Sequence, residues 1–121
     1  MSLADQQCIP CSLGTPPMKQ EEAEQMLADL GGGWELHENG RRLFKRYTFK
    51  NFKRALKFVN LVGEQAEEVG HHPNIHFTWG MVELLIWTHK IDALAGADFI
   101  LAAKLDRIFE ENFPKSKAKA S

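Results

Sequence analysis

Histidine is the residue type in this chain whose number and spacing point to chemistry. Of the five histidines in 121 residues, four fall between residues 71 and 89: His71, His72, His76 and His89. Imidazole has an unperturbed pKa of about 6.5, so histidine can give or accept a proton near neutral pH. Two or three histidines that converge on one pocket can therefore act as general acid and general base. The same spacing also fits unrelated histidines of the surface or the core.

Nucleophilic and metal chemistry find less support in the sequence. All four serines and both cysteines lie near the ends of the chain: Ser2, Cys8, Cys11, Ser12, Ser116 and Ser121. A serine or cysteine nucleophile within a folded core is therefore not expected. Cys8 and Cys11 have the spacing of zinc ligands, but they are only two, and we interpret them as exposed thiols. Because Pro73 excludes the helix that would pair His72 with His76, no metal site is predicted.

Composition excludes several classes of protein. The chain is 44% hydrophobic and 26% charged, with a formal net charge of −1, which fits one globular domain better than a disordered or polybasic protein. No apolar run approaches the ~20 residues of a membrane span, and no basic segment followed by an apolar core opens the chain. The few cysteines favour a reducing, cytoplasmic location.

The near-neutral net charge hides a strongly uneven distribution. Residues 39–63 contain eight basic side chains and no acidic one, whereas the segments before and after are acidic. Cations thus fall near the start of the expected long helix and carboxylates near its end, which the helix dipole disfavours at both places. This pattern suggests an alternative function, a non-catalytic binding or regulatory module that uses residues 41–57 on a protein or nucleic-acid partner. The interleaved aromatic residues are expected to point inward, so a nucleic-acid partner is not favoured.

Periodicity of the apolar residues predicts how the candidate residues are positioned. Residues 1–17 are expected to form a flexible arm, residues 18–113 the folded domain and residues 114–121 a disordered tail. The expected elements, in the order α-β-β-α-β-β-α, span residues 18–30, 34–37, 43–49, 51–69, 75–79, 82–88 and 97–112. This order predicts an α+β fold in which helices pack on one face of a four-stranded antiparallel sheet.

Apolar residues at helical spacing predict the buried side of two helices. The long helix is expected to bury Phe52, Ala55, Leu56, Val59, Val62, Ala66 and Val69. The last helix is expected to bury Phe99, Ala102, Leu105, Ile108 and Phe109. The last helix lacks a Ser or Thr at its expected cap position, Ala95, so Asp92 or Asp98 is expected to substitute.

The residues around the histidines resemble the signature of the pterin-4a-carbinolamine dehydratases, also called 4a-hydroxytetrahydrobiopterin dehydratases. The matching positions are Glu67, His71, His72, Pro73, Trp79, His89 and Asp98. The resemblance extends over nearly all of residues 18–113. It departs at Gly70, where the family often has an acidic residue, and at Ala95.

The resemblance implies a hydro-lyase that converts a 4a-hydroxytetrahydropterin to the quinonoid dihydropterin and so recycles the cofactor of aromatic amino acid hydroxylases. It implies that His71, His72 and His89 are the catalytic residues. Our hypothesis is that His71 and His89 divide the acid and base roles while His72 orients the pterin. The residues expected to bind or border the substrate are Glu67, Pro73, Trp87, Thr88 and Asp98.

The resemblance also bears on cofactors and partners. It implies no metal and no organic cofactor, because the two proton transfers suffice for the reaction. It implies a homodimer or homotetramer and a functional link to an aromatic amino acid hydroxylase. No membrane partner is expected.

Overall fold

Three helices and one antiparallel sheet make up residues 18–113, the part of the chain that the computed structural model describes. The elements are α1 (Gln20–Leu30), β1 (Glu35–His37), β2 (Arg42–Thr48), α2 (Phe52–Val69), β3 (Asn74–Thr78), β4 (Met81–Ile86) and α3 (Gly96–Asn112). The α+β class and the predicted order of elements are confirmed. The expected arm with Cys8 and Cys11 and the expected tail lie outside the described residues.

The sheet has the strand order β1-β2-β4-β3, with every neighbouring pair antiparallel. Burial alternates along β4, where Val82, Leu84 and Ile86 are fully buried. These side chains join the buried residues of all three helices in one apolar cluster. The helices therefore cover one face of the sheet, as predicted from the sequence.

The segment between β4 and α3 differs from the sequence prediction. The pattern predicts a strand to residue 88, but β4 ends at Ile86 and a 3₁₀ turn follows at His89–Ile91. The backbones of Thr88 and Ala93 pair as an isolated antiparallel bridge, which closes the loop at its base. This loop is important because it positions His89.

Helix α2 is capped at both ends by short-range interactions. The side chain of Asn51 accepts a hydrogen bond from the backbone N–H of Arg54 at 2.9 Å. At the other end, Gly70 adopts the left-handed conformation (φ 72°, ψ 26°), which glycine enters at little cost. The chain can therefore reverse sharply before His71.

The buried face of α2 differs from the expected one. Ala55, Phe58, Val62 and Ala66 are its buried residues, whereas Phe52 and Leu56 are 48% and 39% exposed. The expected stripe is thus confirmed at Ala55, Val62 and Ala66 but wrong at Phe52 and Leu56, because the helix turns Phe58 toward the core. Phe52 stacks instead on Phe77 of the outer strand β3, with ring centroids 5.1 Å apart.

A carboxylate in the second half of α3 holds this helix against the sheet. Asp106 accepts hydrogen bonds from the indole N–H of Trp34 (2.8 Å), the ammonium of Lys45 (2.8 Å) and the hydroxyl of Tyr47 (2.5 Å). The backbone of Gly32 packs so closely that a Cβ there would lie 2.6 Å from a carboxylate oxygen of Asp106. The glycine turn after α1 thus closes over this cluster.

The Tyr47–Asp106 contact gives a test of the fold by alkaline titration. Burial, followed by the negative charge of Asp106, raises the pKa of Tyr47 well above the usual value of 10.0. Tyr47 is the single tyrosine of the chain, so tyrosinate absorbance reports on it alone. We expect little tyrosinate at pH 10 and a rise only at higher pH.

The same shift predicts a change in stability. A raised pKa in the folded state stabilises the fold below pH 10, and this contribution is lost as the pH rises through the raised value. Circular dichroism recorded alongside the absorbance should therefore show loss of structure as tyrosinate forms. A folded protein that is half ionised near pH 10 would contradict the assigned environment, and Asp106→Asn should lower the midpoint.

Candidate active site

Asp98 is a completely buried carboxylate at the start of α3. One of its oxygens lies 2.5 Å from Nε2 of His71. The other accepts hydrogen bonds from the hydroxyl of Thr88 (2.7 Å) and the backbone N–H of Ala95 (2.8 Å). A buried carboxylate is tolerated when such donors compensate for the lost water. Asp98 therefore joins three separate segments of the chain.

A local feature of the backbone positions each hydrogen-bond partner of Asp98. The reversal at Gly70 brings His71 back over the end of α2, where its backbone N–H donates to the carbonyl of Ala66. Thr88 follows the end of β4 and is 4% exposed. Ala95 at the helix cap has no side-chain oxygen, so Asp98 supplies the capping interaction from within the first turn. Of the two expected cap residues, Asp98 rather than Asp92 takes this role.

The contact with Asp98 determines where the ring of His71 holds its proton. A carboxylate oxygen can only accept a hydrogen bond, so Nε2 of His71 is the donor. Nδ1 is then the nitrogen that can exchange a proton with a bound molecule. The side chain of His71 is 18% exposed, so the ring reaches the surface while it stays oriented from behind.

His72 and Glu67 form a second pair beside His71. Nε2 of His72 lies 2.7 Å from a carboxylate oxygen of Glu67, and both side chains are mostly exposed. Pairs this open to solvent contribute little to stability. The contact therefore orients the imidazole of His72 rather than holding the fold together. Pro73, half-buried, follows directly and leads into β3.

His89 begins the 3₁₀ turn and is exposed. Its ring lies against the indole of Trp87, with centroids 4.3 Å apart and planes inclined by 32°. Thr88, between these two residues, points inward to Asp98. The hydrogen bonds of Asp98 thus connect His71 to the residue adjacent to His89.

Two further residues join this region, although the sequence pattern does not place them beside the histidines. The guanidinium of Arg42 lies 4.1 Å from the ring centroid of Trp87 and donates a 2.7 Å hydrogen bond to Asp92. This hydrogen bond is the main reason that the pKa of Asp92 is below its usual value. Arg42 meets Trp87 because β2 pairs with β4, a register that no local sequence signal reveals.

The remaining histidines are in other surroundings. His37 stacks on Phe44 and contacts Glu35, and His76 lies opposite Glu83 in the outer strand pair. Across residues 18–113, no three His, Cys, Asp or Glu side chains are grouped to hold a metal ion. No described helix is long and apolar enough to cross a membrane.

Half of the eight basic side chains in residues 39–63 are paired within the chain. The ion pairs are Arg41–Asp92, Arg42–Asp92, Lys45–Asp106 and Arg46–Glu83. A nucleic-acid surface depends on cations that can neutralise phosphates. Because of these ion pairs, the alternative function as a binding module has fewer positive charges available for a partner than the sequence suggests.

Comparisons with known proteins show similarity to one protein family. The family model described as pterin 4 alpha carbinolamine dehydratase matches residues 16–108. Two relatives bear the provisional name pterin-4-alpha-carbinolamine dehydratase. The protein from Rubrobacter xylanophilus is 49% identical over 106 residues, which cover 88% of this chain and 97% of the relative. The protein from Alkaliphilus metalliredigens is 44% identical, with 88% and 95% covered.

Two solved structures resemble the chain. One is a transcriptional coactivator/pterin dehydratase from Brucella melitensis, with a TM-score of 0.71 and 24% identity, covering 76% of this chain and 97% of that one. At this identity the likeness concerns the fold alone. The other is a pterin dehydratase-like protein described as a RuBisCO assembly factor in the alpha-carboxysome, with a TM-score of 0.56 and 25% identity, covering 65% and 92%.

The Asp98 contacts predict a change of tautomer in the variant Asp98→Asn. The amide oxygen can keep the hydrogen bonds from Thr88 and Ala95, so the NH₂ group must face His71. An NH₂ group donates, which forces Nε2 of His71 to accept and moves the proton to Nδ1. Nitrogen-15 shifts of the His71 ring should show this exchange. An unchanged tautomer would contradict the assigned contact.

Two further variants distinguish a change in the His71 tautomer from a general loss of stability. Asp106→Asn alters a carboxylate on the same helix that binds no histidine, and it should leave the His71 tautomer unchanged. Asp98→Ala removes both acceptor oxygens, and each hydrogen bond lost by a buried donor costs about 1–3 kcal/mol of the free energy of unfolding. Urea unfolding should therefore rank Asp98→Ala well below Asp98→Asn in stability.

Proposed function

The chain belongs to the pterin 4 alpha carbinolamine dehydratase family, and we propose that it removes water from a 4a-hydroxytetrahydropterin by histidine general acid and base catalysis. The product is the quinonoid dihydropterin. In this role the protein recycles the pterin cofactor of an aromatic amino acid hydroxylase. The observation that supports the histidine mechanism is the set of hydrogen bonds by which Asp98 joins His71 to the segment that bears His89.

The reaction needs two proton transfers and no change of oxidation state. A general acid protonates the hydroxyl group at C4a, the C–O bond breaks and water leaves. The lone pair of the neighbouring ring nitrogen forms the new C=N bond, and a general base takes the N–H proton. Histidine suits both roles near neutral pH, because its unperturbed pKa is about 6.5. The two proton transfers complete the reaction, so it requires no cofactor in addition to the pterin substrate.

His71 and His89 divide the acid and base roles in this proposal. Asp98 holds His71 with the proton on Nε2, so Nδ1 can exchange a proton with the pterin. His89 supplies the second group from the turn after β4, next to Thr88. Acid or base groups of this kind typically contribute about 10²–10⁴-fold each to the rate.

The neighbouring residues bind and orient the pterin. His72 is oriented by Glu67, and both are open to solvent, so a planar ligand can cover them. Pro73 fixes the chain direction directly after the two histidines. Trp87 borders the site beside His89.

The proposal predicts a large loss of turnover in single histidine variants. The substrate is a 4a-carbinolamine made in situ by a pterin-dependent hydroxylase. His71→Ala and His89→Ala should each lower kcat by about 10²–10⁴-fold, because each removes a proton carrier. His72→Ala should raise KM more than it lowers kcat, because His72 acts in binding.

His76→Ala is the matched control, since His76 lies on β3 opposite Glu83 and takes no part in the proposed site. Its turnover should equal that of the unaltered protein. An unaltered protein that is no faster than His71→Ala or His89→Ala would overturn the proposed function.

We also propose that the chain forms a homodimer or homotetramer. Large apolar side chains are exposed on α2 and on the outer hairpin: Phe52, Leu56, Ile75 and Trp79. The first half of α2 is basic and the second half acidic. Two copies of α2 that pack antiparallel would place opposite charges together and cover Leu56, which relieves the unfavourable charge order along a single helix.

Light scattering tests this association. The mass in solution should be two or four times the 13.8 kDa of the chain. Leu56→Glu should shift the mass toward the monomer, because it places a charge within the apolar surface. Ala28→Glu adds the same charge to an exposed position of α1 and should leave the mass unchanged. A monomeric unaltered protein would refute the association.

A further inference from the structure

Arg42 is a largely buried arginine that lies close to the proposed site without belonging to it. Its side chain is 15% exposed. The guanidinium carbon lies 4.1 Å from the ring centroid of Trp87, a distance at which a cation is attracted to the face of an indole. The same guanidinium donates to a carboxylate oxygen of Asp92 at 2.7 Å and to the carbonyl of Arg41 at 3.0 Å. Its orientation is thus constrained from several directions.

Asp92 directly follows the turn that His89 begins. Its backbone is left-handed (φ 51°, ψ 40°), a conformation that aspartate tolerates better than most residues, and its N–H donates to the carbonyl of His89 at 3.2 Å. The backbone of Thr88 pairs with that of Ala93 at the base of the loop. The hydrogen bond from Arg42 therefore ties the far end of the turn to β2.

Trp87 provides the second connection between Arg42 and His89. Arg42 lies over the indole, and the imidazole of His89 lies 4.3 Å from its centroid. Movement of the indole would therefore remove the support of the His89 ring. The Arg42–Trp87–His89 stack contacts the first residue of this turn, and the Arg42–Asp92 ion pair holds the residue that follows it.

We propose that Arg42 is a positioning residue that holds His89 in place through Trp87 and Asp92. Arg42 does not touch the pterin in this arrangement. His89 is exposed on a short turn, so its ring needs such support to meet the substrate in one orientation. This role rests on the proposed function of His89 as a proton carrier.

The variants Arg42→Met and Arg42→Lys test this role. Methionine keeps an unbranched apolar chain on β2 but removes the cation and its hydrogen bonds. Lysine keeps the charge but cannot present a planar group to Trp87 while it binds Asp92. Arg46→Met is the matched control, because Arg46 lies on the same strand and the same face and pairs with Glu83.

The kinetic expectation is a loss in kcat rather than in KM. A misplacement of about 1 Å can cost roughly 10²-fold in rate, so we expect Arg42→Met to lower kcat by about 10–10²-fold with little change in KM. Arg42→Lys should recover part of this loss. Arg46→Met should match the unaltered protein.

A measurement without substrate tests the same geometry. The ring current of Trp87 should shift the carbon-bound ring protons of His89 upfield, and a His89→Gln spectrum assigns these signals. In Arg42→Met they should move toward the positions of free histidine, whereas in Arg46→Met they should not move. If Arg42→Met does not fold, Asp92→Asn removes the ion pairs of Asp92 with Arg41 and Arg42 but leaves Arg42 over Trp87, and it should give a smaller shift in the same direction.

The outcomes separate this role from the proposed function. Unchanged His89 signals, or an unchanged kcat in Arg42→Met while the unaltered protein is active, would overturn the positioning role and leave the proposed function standing. Moved His89 signals in a protein without dehydratase activity would overturn the proposed function but support the structural link from Arg42 to His89.

Discussion

The buried carboxylate of Asp98 needs hydrogen-bond donors in place of water, and this need joins the end of α2, the end of β4 and the start of α3. His71, Thr88 and Ala95 supply the donors from these three segments. Because an unpaired buried carboxylate is costly, the three segments cannot separate without loss of stability. The same contact orients the ring of His71, so the interaction that stabilises the fold here also prepares the site.

A second carboxylate on α3 extends this constraint along the helix. Asp106 lies about two turns beyond Asp98 and binds Trp34, Lys45 and Tyr47. The first turn of α3 is thus attached to the site, and its second half is attached to β2 and to Trp34, which directly precedes β1. The contacts of Asp98 and Asp106 fix α3 at two places along the sheet. This keeps Asp98 within hydrogen-bonding distance of Thr88.

The two proposed proton carriers are supported in different ways. His71 is held from behind by a buried carboxylate, which also determines its tautomer. His89 stands on an exposed turn and is supported from the side by Trp87, with Arg42 and Asp92 behind that contact. The orientation of each proposed proton carrier thus depends on neighbours from other segments of the chain.

The sequence by itself determined the order of the elements, the end of α2 at Val69 and the position of His71, His72 and Pro73 directly after that helix, because periodicity and proline act over a few residues. Only the tertiary structure decided the strand order that sets Arg42 beside Trp87, and the rotation of α2 that buries Phe58 and exposes Phe52. The turn after β4 also escaped prediction, since a long-range hydrogen bond to Asp92 helps to hold it. Pairing between distant strands and the packing of a helix depend on contacts far apart in the chain, and these leave no local pattern in the residues.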